Sequence, residues 1–170
     1  NLPDSTKIVG NVARLSPQKN PMRFVEVAAQ VLKNRNDTVF VWIGDGELMD
    51  QAIMHSRQLG IADKIKFVGF HQNGAELMAD FNCLLMTSDD EGLPITTLEA
   101  LAQGIPVVST DVGGISEAIG SLGKVVLIDE NCADKLAKEV FAELAQGLDR
   151  ERLQEDPYSM VASYCQDRIQ

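Results

Sequence analysis

Cysteine, histidine and aromatic residues are scarce in this chain. Its three cysteines, Cys83, Cys132 and Cys165, stand far apart and form no Cys-x-x-Cys pair. That pattern excludes a disulfide framework or a zinc knuckle and suits a reducing compartment. Cys83 falls in an apolar run and reads as a small core residue. The two histidines, His55 and His71, belong to no Ser–His–Asp or Cys–His set, so nothing here prepares a nucleophile. His55 reads as exposed on a helix and His71 as part of a surface loop. No run approaches the ~20 apolar residues of a membrane-spanning helix, and no secretory leader pattern is visible. Basic charge is short as well: 15 Lys and Arg face 25 Asp and Glu, a net charge of −10. Nucleic-acid affinity rests largely on cations that neutralise phosphates, so that class of partner is not expected. A small anion is still admissible, because local donors decide its binding.

What is present describes one globular α/β unit over residues 1–170, with 45% hydrophobic and 24% charged residues. A chain of this length buries roughly 70% of its unfolded surface. Apolar strand-like runs occur at Ile8–Val12, Thr38–Ile43, Ile65–Val68, Cys83–Met86, Pro106–Ser109 and Val125–Ile128. Helical spacing occupies the gaps: Phe24, Val25, Ala28, Val31 and Leu32 after the Asn20-Pro21 start; Leu48 to Leu59; a short helix near Ala75–Ala79; Pro94–Gln103; Ser116–Ile119; and Ala133, Leu136, Val140 and Leu144. A polar-rich helix is expected over Pro157–Ile169. Such alternation predicts a Rossmann-like parallel sheet of about six strands with helices on both faces. In such sheets ligands bind beyond the carboxyl ends of the strands, which here means the loops Ala13–Asn20, Gly44–Glu47, Gly69–Gly74, Thr87–Leu93 and Asp111–Ile115.

One segment stands out: Ser88-Asp-Asp-Glu91-Gly-Leu-Pro94-Ile-Thr-Thr-Leu-Glu99. An apolar strand runs into an acidic loop, Gly92 permits a turn, and Pro94 opens a helix, the position where its missing N–H costs nothing. The free amides of Leu93, Ile95 and Thr96 then favour an anion. Glu91 precedes that anion site, and Glu99 lies about 7–8 Å along the helix behind it. A ligand with hydroxyl groups on both sides of a phosphate fits the pattern, and nucleotide sugars are such ligands. Taken singly, Glu91 and Glu99 read as a loop acid and a solvated helix acid; only the helix start between them argues otherwise. Arg14 and Lys19, alone, read as solvated surface, but they follow the first strand directly. Gly44-Asp45-Gly46 lacks the third glycine of a dinucleotide fingerprint, since Met49 holds that slot. Asp89-Asp90 is not an Asp-x-Asp metal element, and no metal is expected.

Glu91-x7-Glu99 in the context EGLPITTLEALAQGIPVVSTDVGG resembles the signature of the group 1 family of retaining glycosyltransferases. Val12-Ala13-Arg14-Leu15-Ser16-Pro17-Gln18-Lys19 is similar to that family's Arg-Leu-x-x-x-Lys loop. Ile43-Gly44-Asp45-Gly46 and Phe67-Val68-Gly69-Phe70 resemble its strand ends beside the nucleotide. The likeness runs from about Lys7 to Leu127 and fades after Asn131. It implies the C-terminal, donor-binding half of a GT-B fold, whose N-terminal acceptor domain lies outside these residues. It further implies a UDP-, GDP- or ADP-sugar donor, no cofactor or metal, and retaining transfer to a glycan, lipid or other acceptor, as in polysaccharide biosynthesis. Arg14 and Lys19 would bind the diphosphate, Glu99 the ribose and Glu91 the transferred sugar. Gly92, Leu93, Ile95 and Thr96 would border the phosphates, Val68, Gly69 and Phe70 the base, and Gly44 would let the backbone approach the nucleotide. The isolated domain would be inactive. A cytoplasmic protein is expected, with the full-length enzyme able to associate peripherally with the inner face of the membrane. A sugar-nucleotide epimerase or a phosphorylase-like enzyme of the same fold, or a non-catalytic nucleotide-binding module, stays open as an alternative.

Overall fold

A computed structural model describes residues 3, 5–92, 95–120 and 123–146. The expected helix over Pro157–Ile169, and Cys165, lie outside the described residues. Six parallel strands form one sheet: β1 (Lys7–Val12), β2 (Thr38–Ile43), β3 (Ile65–Phe67), β4 (Cys83–Met86), β5 (Val107–Thr110) and β6 (Lys124–Val126). Their order is β3-β2-β1-β4-β5-β6. The helices between them are α1 (Pro21–Leu32), α2 (Met49–Gln58), α3 (Gly74–Leu77), α4 (Ile95–Ala102), α5 (Ile115–Ile119) and α6 (Cys132–Gln146).

Local chemistry explains why these elements form. Asn20 takes a left-handed φ of 45°, tolerable for Asn, and its side chain accepts a hydrogen bond from the Arg23 N–H as a cap for α1. Pro21 follows at the first helical position. Phe24, Val25, Ala28 and Val31 then bury one stripe. β1 pairs with β2 from Lys7↔Thr38 to Val12↔Ile43, and with β4 at Val9↔Cys83 and Gly10↔Leu84. Two apolar layers sandwich the sheet. Phe24, Ala52, Leu136 and Val140 put α1, α2 and α6 on one face. Leu98, Leu101, Ile115 and Ile119 put α4 and α5, with α3 beside them, on the other. Cys83 is buried as expected, and burial pushes its thiol far above the ordinary range.

Strand edges differ from expectation by one or two residues. β6 is Lys124–Val126, and Leu127 and Ile128 lie past its end and are exposed. An apolar run marks a strand, but the pairing partner sets its limits, and β5 offers only Val108–Thr110 to β6. α3 is shorter than expected and continues as a 3₁₀ turn at Met78–Asp80. His55 is not the exposed residue expected. It is half-buried, with Nε2 3.7 Å from Glu26.

The chain winds outward from β1 to β3, then returns to place β4 on the other side of β1. The direction of winding therefore reverses between β1 and β4. The helices that follow them, α1 and α4, pack on opposite faces of the sheet, and such a switch point is the crevice where ligands bind in sheets of this kind.

Candidate functional site at the β1–β4 crevice

The loop after β1 and the loop after β4 are bound together across that crevice. Lys19 Nζ lies 2.7 Å from Glu91 Oε1 and 2.8 Å from Oε2. Glu91 is 7% exposed, so its charge is nearly desolvated and needs those partners. The Ser88 hydroxyl donates to Glu91 Oε1 at 2.6 Å. Around this centre the two loops are stitched along their length. The Gln18 amide donates to the Asp90 carbonyl at 3.0 Å, and the Asp89 N–H donates to the Gln18 carbonyl at 2.8 Å. Asn20 Nδ2 donates to Asp89 Oδ2 at 2.9 Å, so the residue that caps α1 also grips the acidic loop. Arg23, on the first turn of α1, donates to the Thr87 carbonyl at 2.9 Å and pairs with Asp89 at 2.7 Å. The Thr87 hydroxyl returns a bond to the Lys19 or Asn20 carbonyl, each 3.1 Å away.

A third loop, after β5, closes the arrangement. The Thr110 hydroxyl donates to the Ser88 carbonyl at 2.6 Å. Gly113, at φ +56°, lies so close that an added Cβ would sit 1.8 Å from the Glu91 carbonyl oxygen. Gly113 lies in the expected ligand-side loop Asp111–Ile115, and its contact with Glu91 requires both the left-handed backbone and the missing side chain.

A cleft of about 560 Å³ opens past the carboxyl ends of β1, β2 and β3, lined among others by Val12, Arg14, Gly44, Phe70 and His71. That volume is in the range of small-molecule sites. Lys19, Glu91 and Glu99 are not among the lining residues. Trp42 shapes this cleft from beneath. Its ring packs edge-on against Phe24 at 5.0 Å, and its Nε1 donates to the Ala13 carbonyl at 2.8 Å. Gly44, at φ +141°, leaves room for that same carbonyl, which would be 1.9 Å from an added Cβ. Gly44 is thus needed for loop-on-loop approach as well as for lining the cleft.

The expected site residues divide into those brought together and those apart. Lys19 and Glu91 meet. Gly44, Phe70 and Arg14 share the cleft. Phe70 is 73% exposed at its rim, with Val68 also exposed, and the Gly69 carbonyl accepts from the Gly44 N–H at 2.8 Å. Arg14 is exposed and paired with Glu47 at 3.1 Å, not with Lys19 or Glu91. Thr96 ties the start of α4 to the end of β1 through its hydroxyl, 3.3 Å from the Val12 carbonyl. Ile95 and Glu99 are exposed on α4, and Gly92 is exposed before it. Leu93, and the expected helix-opening Pro94, lie outside the described residues. Ser88, Thr110, Gln18 and Arg23 received no role from the sequence. Only Ser88 carried a signal, as a hydroxyl three residues before Glu91.

Comparison with known proteins agrees with this fold. The family model for "Glycosyl transferases group 1" matches residues 1–159. A Vi polysaccharide biosynthesis protein of Salmonella typhi, VipC/TviE, is 37% identical over 114 residues, covering 67% of this chain and 20% of that protein. The lipopolysaccharide core biosynthesis mannosyltransferase LpsB of Rhizobium meliloti is 33% identical over 163 residues, covering 89% of this chain and 44% of that protein. A crystal structure of a mutant of S. aureus TarM, in complex with Fondaparinux, alpha-GlcNAc-glycerol and UDP, superimposes with a TM-score of 0.78 at 21% identity. It covers 98% of this chain and 36% of that one. The chain spans less than half the length of these curated relatives.

Proposed function

The chain belongs to the group 1 glycosyl transferases, and on that premise we propose that it is the donor-binding domain of a retaining glycosyltransferase. The observation that carries this reading is the buried Glu91 carboxylate, held by Ser88 and by Lys19 of the loop after β1, the same loop whose Ala13 and Arg14 line a cleft past the ends of β1, β2 and β3. A desolvated carboxylate at the carboxyl ends of a parallel sheet suits one task well: stabilising positive charge as it develops at a sugar's anomeric carbon.

The donor's other parts follow from the surrounding residues. Lys19, freed from Glu91, and Arg14 at the cleft wall would neutralise a diphosphate leaving group without a metal. The amides of Gly92, Ile95 and Thr96 around the start of α4 would add N–H donors, and the sequence offers Leu93 as a further one. Glu99, exposed on α4, would accept from the ribose hydroxyls. Gly44, Val68, Gly69 and Phe70 would flank the base, with the exposed Phe70 ring as a stacking surface. A UDP-, GDP- or ADP-sugar fits these parts equally. The acceptor, a growing glycan or a lipid-linked sugar, would bind mainly to a separate N-terminal domain, so residues 1–170 alone would transfer nothing. The full-length enzyme would work in the cytoplasm, at the inner membrane face if its acceptor is lipid-linked. No described helix is long and apolar enough to cross a membrane.

Titrating UDP, GDP and ADP against the chain by calorimetry tests the reading. Binding of one of them, tighter than its nucleoside, is expected. Binding of none would overturn it.

A further inference from the structure

Lys19 has two claimants. It donates to both oxygens of Glu91, yet under the donor-site reading, on which this inference rests, it must turn to a diphosphate. Glu91 is 7% exposed, so losing its cation would leave a buried charge under-compensated, a costly state. One donor does not depend on Lys19. The Ser88 hydroxyl is 2.6 Å from Glu91 Oε1, and Ser88 is itself 1% exposed. Its carbonyl is fixed by the hydroxyl of Thr110, a fully buried residue of β5. Lys19 reaches in from the opposite loop on a partly exposed side chain, whereas Ser88 is buried and tied to β5.

We propose that Ser88 is a positioning residue: it holds the Glu91 carboxylate while Lys19 leaves it for the donor's diphosphate. Glu91 and the diphosphate then compete for one ammonium, and Ser88 sets the terms of that competition. Without the Ser88 hydroxyl, Glu91 depends wholly on Lys19, and the diphosphate binds less well. Without the Glu91 charge, Lys19 is free and the diphosphate binds better.

The test is a cycle of variants of the 170-residue chain, read as affinity for whichever of UDP, GDP and ADP the unchanged chain binds most tightly. Glu91→Gln should tighten binding by about fivefold, in the range of charge-pair couplings. That gain should largely vanish in a Lys19→Ala background. Ser88→Ala should weaken binding by about threefold to tenfold, one hydrogen bond to a charged group, and Ser88→Thr should recover it. In a Glu91→Gln background Ser88→Ala should change affinity by less than about twofold, because a neutral amide needs no such support. A purely structural role for Ser88 would weaken binding equally in both backgrounds, and that result would overturn the proposal. So would a Glu91→Gln chain that binds no tighter than the unchanged one. Should Ser88→Ala fail to fold, Thr110→Val, which removes only the hydroxyl behind Ser88, should show the same background dependence in smaller measure; equal loss in both backgrounds again refutes it. If the unchanged chain binds no nucleoside diphosphate, the donor-site reading fails first and takes this proposal with it.

Discussion

Lys19 and Glu91 stand 72 residues apart in sequence and 2.7 Å apart in space. Their contact joins the loop after β1 to the loop after β4, and it places a charge pair where the sheet reverses its winding. Breaking such a pair by removing one partner costs more than the pair contributes, because the other charge stays buried. Lys19→Ala should therefore lower unfolding stability by about 1–3 kcal/mol, less than for a fully buried pair because Lys19 is 21% exposed at its side chain. The double variant Lys19→Ala, Glu91→Gln should regain part of that loss in urea titrations. A single variant as stable as the unchanged chain would contradict this account.

Gly113 and Gly92 flank the same glutamate but should respond differently to one methyl group. A Cβ at 113 would meet the Glu91 carbonyl at 1.8 Å on a backbone of φ +56°, whereas a Cβ at 92 meets nothing within 4 Å. Gly113→Ala should cost about 2–4 kcal/mol by combined clash and backbone strain, and Gly92→Ala less than about 1 kcal/mol. Melting temperatures of the two variants decide it; equal shifts would mean that the β5 loop does not pack on Glu91.

Arg14 should matter for ligand and hardly for fold. Its pair with Glu47 is exposed on both sides, 73% and 50%, and such pairs contribute ~0–1 kcal/mol. Arg14→Ala should leave the melting temperature nearly unchanged. It should weaken nucleoside diphosphate binding by about 1.5–3 kcal/mol while sparing the nucleoside alone. Equal losses for both ligands would remove Arg14 from the phosphate site.

Glu99→Gln should weaken nucleoside diphosphate and nucleoside alike, since both carry the ribose. The expected loss is about 1–2 kcal/mol. A loss confined to the diphosphate would assign Glu99 to the phosphates instead.

Asp37 gives a pH signature away from the site. The hydrogen bonds from Arg35, with help from the Arg35 charge and the Thr38 hydroxyl, hold its carboxyl down at about 2. A carboxyl lowered on folding adds stability above its unfolded value near ~3.9 and loses it as pH falls toward the folded one. The pair is partly exposed, so the contribution is ~1 kcal/mol or less. Asp37→Asn should flatten the stability–pH curve between pH ~4 and ~2; an unchanged slope there would show the pair idle.

The sheet was legible because its strands are continuous apolar runs and its helices carry 3.6-residue stripes. Phe24, Val25, Ala28 and Val31 gave α1 away, and Thr38–Ile43 gave β2. The end of β6 was not legible, since Leu127 and Ile128 are as apolar as the strand residues before them but face no partner. In the site, Lys19 and Glu91 could be singled out from loop position and motif, but not their mutual contact. Pairing across 72 residues is set by sheet order, which no local pattern encodes. For the same reason Arg23 reads as an ordinary helix residue, and Thr110 falls just past the expected strand Pro106–Ser109. Only the loop geometry brings them to Thr87, Asp89 and Ser88.

The neighbour relation between β1 and β4 also governs when the site can come into being. β2 and β3, with the helices between them, fill the stretch from Thr38 to Asp80, so β4 can dock on β1 only by closing a loop of some seventy residues. Contacts of such long sequence separation form late and slowly. Glu91 therefore acquires Lys19 only after the sheet is joined across its middle, and a nascent chain released before β4 holds the residues that line the cleft but not the charge pair. The share of nucleotide affinity that depends on Glu91, measured against time after dilution from denaturant, would thus mark the joining of β4 to β1 and not the early collapse.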